Sequence, residues 1–196
     1  MSKYIKNLKI KRPRNVGFTI VETLVAISIL TLSILAGFTA VQNSLRSSIS
    51  AKDQIVAFYL TQEAMEYIKN IRDQNALNFL NGDTSYTWLT GLSESSTAPC
   101  WHGGGGPAKS CIIDVTASPP NDIVNCTGTC PQLRRDPVTG LMGYNSGWTL
   151  TNFSRYVQFQ NVVDGEEVRV IITISWIQGA TTKTFQVTES LFNRLQ

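Results

Sequence analysis

The fold of this chain turns on one stretch, Phe18 to Val41, which reads FTIVETLVAISILTLSILAGFTAV. It runs for 24 residues with no proline and a single charge, Glu22. As an α-helix rising ~1.5 Å per residue, it is long enough to cross the ~30 Å hydrocarbon core of a bilayer. A buried helix of a soluble domain is the alternative reading, but such helices are usually shorter. A charged side chain at the centre of a membrane helix costs about 2.5–3.5 kcal/mol on insertion scales, so Glu22 requires an explanation.

The residues ahead of the stretch give it a direction. Lys3, Lys6, Lys9, Lys11, Arg12 and Arg14 precede it, with no acidic residue among them. Positive charge beside a first apolar segment holds that end in the cytoplasm, so the remainder of the chain is expected outside it. The apolar run is too long for the h-region of a secretory signal, and no convincing A-x-A site closes it.

A basic leader ending at Gly17, then Phe18, three further residues, Glu22 and a long apolar helix together resemble the class III leader of type IV pilins and pseudopilins. The resemblance implies that a prepilin peptidase cuts after Gly17 and that Phe18 becomes the N-methylated mature terminus. It also implies that Glu22 pairs with the terminal amine of a neighbouring subunit in the filament. Such a pairing offsets the cost of burying either charge alone in a low-dielectric helix bundle. Without the resemblance, Glu22 reads as a snorkelling or protonated group near the membrane edge.

The chain has 196 residues, enough for one globular domain behind a membrane anchor. Its formal charge of +3 belongs to the precursor: 17 Lys and Arg less the six of the leader leave 11 against 14 acidic residues, a net of −3. That balance argues against nucleic acid as a partner. The adjacent pair Arg134 and Arg135 is expected in a solvated loop.

Cys100, Cys111, Cys126 and Cys130 all fall in the part expected outside the cytoplasm, where an even count favours disulfides. Three pairings are possible, and the nearest-neighbour one, Cys100–Cys111 with Cys126–Cys130, is preferred. Zinc is the rival, since Cys-x3-Cys has ligand spacing and His102 stands nearby; the C-x2-C pairs common in zinc ribbons are absent. His102, the only histidine, has no evident partner acid or nucleophile. The glycine run Gly103 to Gly106 lacks the lysine-serine ending of a phosphate loop. The expectation is a protein without catalytic residues, cofactor or metal.

Beyond the apolar run, Val41, Leu45, Ile49, Val56, Leu60, Ala64, Tyr67 and Ile71 recur at steps that suit one helical stripe. One helix is therefore predicted from about Phe18 to Asp73, roughly 84 Å long at ~1.5 Å per residue. Gly37 is its weak point, lowering helix propensity by ~1 kcal/mol relative to alanine. Many major pilins carry a proline close to this region; this chain has none there.

Residues 74–154 read as loop-rich, with Cys111 to Val115 as the clearest short strand. Residues 155–196 read as a three-stranded antiparallel meander: Tyr156 to Val163, Glu167 to Ile177 and Thr182 to Phe192, turning at Asp164-Gly165 and near Gln178-Gly179. Val168, Val170, Ile172, Ile174 and Trp176 alternate to form one apolar face suited to the long helix, while Ile171 and Ile177 point the other way.

The expectation is an α+β fold: a long N-terminal helix, membrane-spanning in its first half, packed on a small antiparallel sheet with a loop-rich cysteine-containing insertion. Its parts are a cleaved leader (1–17), a transmembrane or filament-core helix (18–41), an amphipathic continuation (42–73), the cysteine-containing region (74–154) and the meander (155–196). The helical segment LTQEAMEYIKNIRD from Leu60, with the later FSRYV, VRVIITISW and TESLFN, resembles minor pilins of the PilV and type II secretion I-type pseudopilin group.

That resemblance implies a structural subunit held in the cytoplasmic membrane before assembly, and in an extracellular or periplasmic filament afterwards. Its implied partners are other pilin-like subunits, prepilin peptidase, the inner-membrane assembly platform and the membrane itself. The rival is a membrane-tethered surface binding module, an adhesin or DNA-uptake receptor. An exposed aromatic-basic patch around Trp88, Trp101 and Trp148 would favour it.

Overall fold

A computed structural model describes residues 17–101, 103, 109–126 and 128–194. One helix, α1, runs from Ile20 to Leu80 and passes through Gly37 without a break. It begins two residues later than expected from the apolar run and ends seven residues beyond Asp73. Nothing in Gln74 to Leu80 opposes helix, and the stop comes at Gly82. There the Asp83 N–H reaches the Asn78 carbonyl at 3.1 Å, and the Gly82 N–H reaches that of Phe79 at 3.0 Å. With Gly82 at a φ of 97°, this is a Schellman ending, a backbone conformation that glycine adopts without strain.

The chain divides into two units between Ser48 and Ile49. In the first, every described residue is exposed. In the second, the helix contributes Ala57, Leu60, Thr61, Ala64, Met65, Ile68, Arg72 and Asn75 to a buried face. Leu60 and Ala64 belong to the stripe read from sequence. Val56, Tyr67 and Ile71 flank the core half-buried instead. The contacting face is thus turned by about one position: Ala57, Thr61, Met65, Ile68 and Arg72 are buried beside Leu60 and Ala64, while half-buried Tyr67 donates its hydroxyl to Asp122 at 2.7 Å.

The sheet has seven antiparallel strands, where a three-stranded meander and one short strand at Cys111 to Val115 were expected. They are β1 (Ser110–Ile113), β2 (Ile123–Asn125), β3 (Gln132–Arg135), β4 (Met142–Gly143), β5 (Thr149–Val163), β6 (Glu167–Gln178) and β7 (Thr181–Phe192). The meander β5–β6–β7 is its backbone, with Val157 opposite Ile172 and Ile172 opposite Val187. Gly165, at a φ of 74°, makes the first turn.

β5 starts before Arg155, at Thr149, and its second edge is shared. Its first half pairs with β3, through Leu150 opposite Arg134. Its middle pairs with β1, through Val157 opposite Cys111. The region read as loop-rich therefore closes the sheet with two short ribbons, β1–β2 and β3–β4. β1 is the short strand read at Cys111 to Val115, ending here at Ile113, whereas β2, β3 and β4 are too short for a periodic signal; the ribbons are stable only against the long edge of β5.

Val168, Val170, Ile172, Ile174 and Trp176 are all buried against the helix, joined by Phe153, Val157, Phe159 and Leu191. On the opposite face Ile171 is half-buried and Ile177 exposed. Two disulfides, Cys100–Cys111 and Cys126–Cys130, join nearest neighbours in the chain. The first lies entirely inside the core. Sequence gave no sign of the buried Arg155, whose guanidinium donates to the Leu60 carbonyl at 3.0 Å, the Ile113 carbonyl at 2.7 Å and the Glu63 carboxylate at 2.6 Å.

Candidate assembly site

The first unit is a helix whose described residues are all exposed. Phe18, Ile20, Val21, Leu24, Val25, Ile27, Leu30 and the apolar residues that follow to Val41 are exposed on all sides. Burying such a side chain contributes about 1.5–3 kcal/mol, so this surface calls for an apolar environment. By length and composition the helix can cross a membrane. A helix apolar all round is the kind that is immersed in lipid or packed among other helices.

Its polar side chains fit that environment. The hydroxyl of Thr23 donates to the carbonyl of Ile20, Ser28 to Leu24, Thr31 to Ser28, Ser33 to Ile29 and Thr39 to Leu35, all at 2.8–2.9 Å. Each hydroxyl satisfies itself on its own helix, so none is left unpaired facing hydrocarbon.

Glu22 sits in the first turn, not in the interior of the helix. The Thr19 hydroxyl accepts the Glu22 N–H at 3.2 Å, and the Thr19 carbonyl accepts the Thr23 N–H at 3.1 Å. Thr19 is therefore the N-cap and Glu22 the third helical residue, the spacing of a capping box. A carboxylate there also faces the positive end of the helix dipole. This explains locally why the helix accepts Glu22, and the T-x-x-E pattern at Thr19 was the signal for it. Gly17 and Phe18 precede the cap, exposed and outside the helix. The leader to Val16 lies outside the described residues.

Other residues singled out from sequence are dispersed. Arg134 and Arg135 lie on β3, not in a loop, because Leu133 is a buried core residue. Arg134 spends its Nη1 on the carbonyls of Trp148 at 3.0 Å and Ser146 at 3.2 Å. Trp88 is buried, and Trp88 and Trp101 share a cleft whose charged lining residues are Glu94 and Asp164. Among the described residues, that cleft takes in neither Trp148 nor a lysine or arginine. His102 lies outside the described residues, and no cluster of metal-ligating side chains occurs among those described.

No family model, curated protein or solved structure matches the chain. What stands is the architecture: a long apolar N-terminal helix, packed on an antiparallel sheet in its later part, with two disulfides. That arrangement is pilin-like.

Proposed function

We propose that the protein is a minor type IV pilin or pseudopilin, a structural subunit that prepilin peptidase processes and that joins a filament through its N-terminal helix. The observation that carries this reading is the placement of Glu22. It is the one carboxylate in the fully exposed apolar stretch Phe18 to Val41, and it stands in the first turn, five positions beyond Gly17. After cleavage at Gly17 the Phe18 ammonium and the Glu22 carboxylate would lie one turn apart on each subunit. Stacked helices could then exchange these charges between neighbours as the apolar surfaces close. The pairing sets the axial step, and burial of the apolar side chains drives association.

Two measurements test the reading. Intact mass and terminal sequencing of the membrane-extracted protein should give a mature N-methylated Phe18; a terminus at Met1 or near Val41 rejects it. Glu22→Ala should leave a stable, membrane-inserted protein that is depleted in sheared filaments, and undiminished incorporation would reduce Glu22 to a helix cap.

A further inference from the structure

β7 ends the sheet on one side. Among the described residues it pairs with β6 alone, over 12 residues in unbroken register, with no proline, glycine or bulge. Natural sheets usually interrupt or cover an edge of that length, because its unpaired N–H and C=O groups recruit a further strand. Which groups face outwards follows from the ladder. The Asn193 N–H donates to the Glu166 carbonyl at 2.9 Å, one step beyond the Glu167–Phe192 pair. Antiparallel bonding alternates, so the odd-numbered residues of β7 bond to β6. Thr182, Thr184, Gln186, Thr188 and Ser190 therefore turn their backbone groups to the open edge, and all but half-buried Ser190 are exposed. The charges on this edge are self-complementary. Lys183 and Glu189 are the only charged residues of β7, share one face and stand three residues either side of Gln186. Lys69 holds Glu189 at 2.8 Å with the glutamate side chain still 40% exposed, and Lys183 has no ion-pair partner among the described residues.

We propose that β7 pairs antiparallel with β7 of a second copy, about a two-fold axis at Gln186, continuing the sheet from one molecule into the next. In that register Lys183 stands opposite Glu189, Phe185 opposite Val187 and Thr184 opposite Thr188, each twice. Opposite charges, an aromatic with a β-branched residue, and paired threonines are cross-strand neighbours that stabilise antiparallel ladders. A slip of two residues sets Lys183 against Val187 or Leu191, and a slip of one sets outward backbone groups against inward ones. α1 touches β5 through Glu63 and Arg155 and β7 through Lys69 and Glu189, so it lies over β6. The two copies of it are then three strand spacings apart, roughly 14 Å, beyond the 8–10 Å of packed helices, and do not obstruct the pairing. The axis is perpendicular to the sheet, so residues 49–80 of the two copies run antiparallel. The pair joins oppositely directed molecules and stands apart from the side-by-side packing proposed for the filament.

Cysteine pairing in the full-length protein, in a non-ionic detergent, tests this, since its four native cysteines are already in disulfides. On mild oxidation Gln186→Cys should give a disulfide-linked dimer on non-reducing gels, because the paired Cα atoms sit about 5.5 Å apart. Thr182→Cys, also exposed on this edge, meets its counterpart only across roughly 27 Å, eight residues at ~3.4 Å, and should link about tenfold more slowly. Beside Gln186→Cys, either Lys183→Glu or Glu189→Lys opposes like charges and should slow linking about fivefold. Mixing those two variants restores opposite charges at both places, and the mixed dimer should form at the original rate. If a charge variant loses its native circular dichroism, the comparison of Gln186 with Thr182 decides alone. The proposal is overturned if Gln186→Cys stays monomeric, as an edge reserved for a strand of another protein would give. It is equally overturned if Thr182→Cys links as fast, or if the mixture links no faster than its components.

Discussion

Arg155 and Glu63 meet at 2.6 Å across the helix–sheet interface, the arginine fully buried and the glutamate side chain about one-third exposed. The guanidinium also holds the carbonyls of Leu60 and Ile113, so one side chain on β5 ties together α1, β1 and its own strand. Tyr144 adds a fourth tie, its hydroxyl donating to the Arg155 carbonyl at 3.2 Å.

The pair should respond asymmetrically to mutation. Glu63→Ala strands a buried cation and should destabilise by about 3–5 kcal/mol. Arg155→Met should cost less, about 1–3 kcal/mol: the methionine fills apolar space, the Arg155 Nε already has no partner, and Glu63 can turn to water. Urea midpoints of the singles and the double form a mutant cycle, and the double should be well short of additive. Additive losses would mean that the two residues act separately.

Removing the buried disulfide should matter more than removing the small one. Cys100→Ala with Cys111→Ala releases a loop worth about 3 kcal/mol in the chain-entropy model and loosens the chain beside Trp101. The Cys126–Cys130 ring spans a sequence separation of only 4 and should contribute less. Urea midpoints of the first variant and of Cys126→Ala with Cys130→Ala rank the two, and equal losses would contradict the placement of the first in the core.

Alkali should weaken the second unit through two tyrosines. Burial, reinforced by the hydrogen bond to Asp122 and the charges of Asp122 and Asp114, holds the Tyr67 phenol well above its ordinary value. Burial likewise pushes Tyr144 up to about 12, against the lowering pull of Arg155. In both cases the unfolded chain ionises first. The contribution is therefore complete below about pH 10 and is lost as pH rises through the folded values. Tyr67→Phe should flatten the decline above pH 10, at a cost of about 1 kcal/mol at neutral pH for its 2.7 Å bond to Asp122. An unchanged alkaline slope would refute this.

The later part of the helix belongs to the core of the second unit. A chain beginning at Arg46 should be soluble and folded, with mixed helix and sheet in far-UV circular dichroism. One beginning after Asp73 lacks Ala57, Leu60, Ala64, Met65 and Ile68, uncovering Val168 to Trp176 and leaving Arg155 without Glu63. It should aggregate or bind hydrophobic dyes. Equal folding of the two would make the helix a tether only.

Sequence alone determined whatever rests on neighbours along the chain. The apolar run, the T-x-x-E start of the helix, the Asp164-Gly165 turn and the alternation of Val168 to Trp176 are periodic or local, so each is written within one continuous stretch of chain. Tertiary structure decided what depends on distant partners. Apart from β1, which Cys111 to Val115 did signal, the short strands β2, β3 and β4 have no period of their own and exist because β5 offers an edge on which their ribbons can pair. The buried face of the helix shifted by about one position because close packing, not the count of apolar residues, chooses which side chains go inside. Arg155 reads as an ordinary surface arginine until Leu60, Glu63 and Ile113 close round it, and the cleft of Glu94 and Asp164 forms only when segments some seventy residues apart meet. A side chain's charge is a property of the sequence; whether that charge is paired, solvated or left facing a cavity is set by what the fold brings beside it.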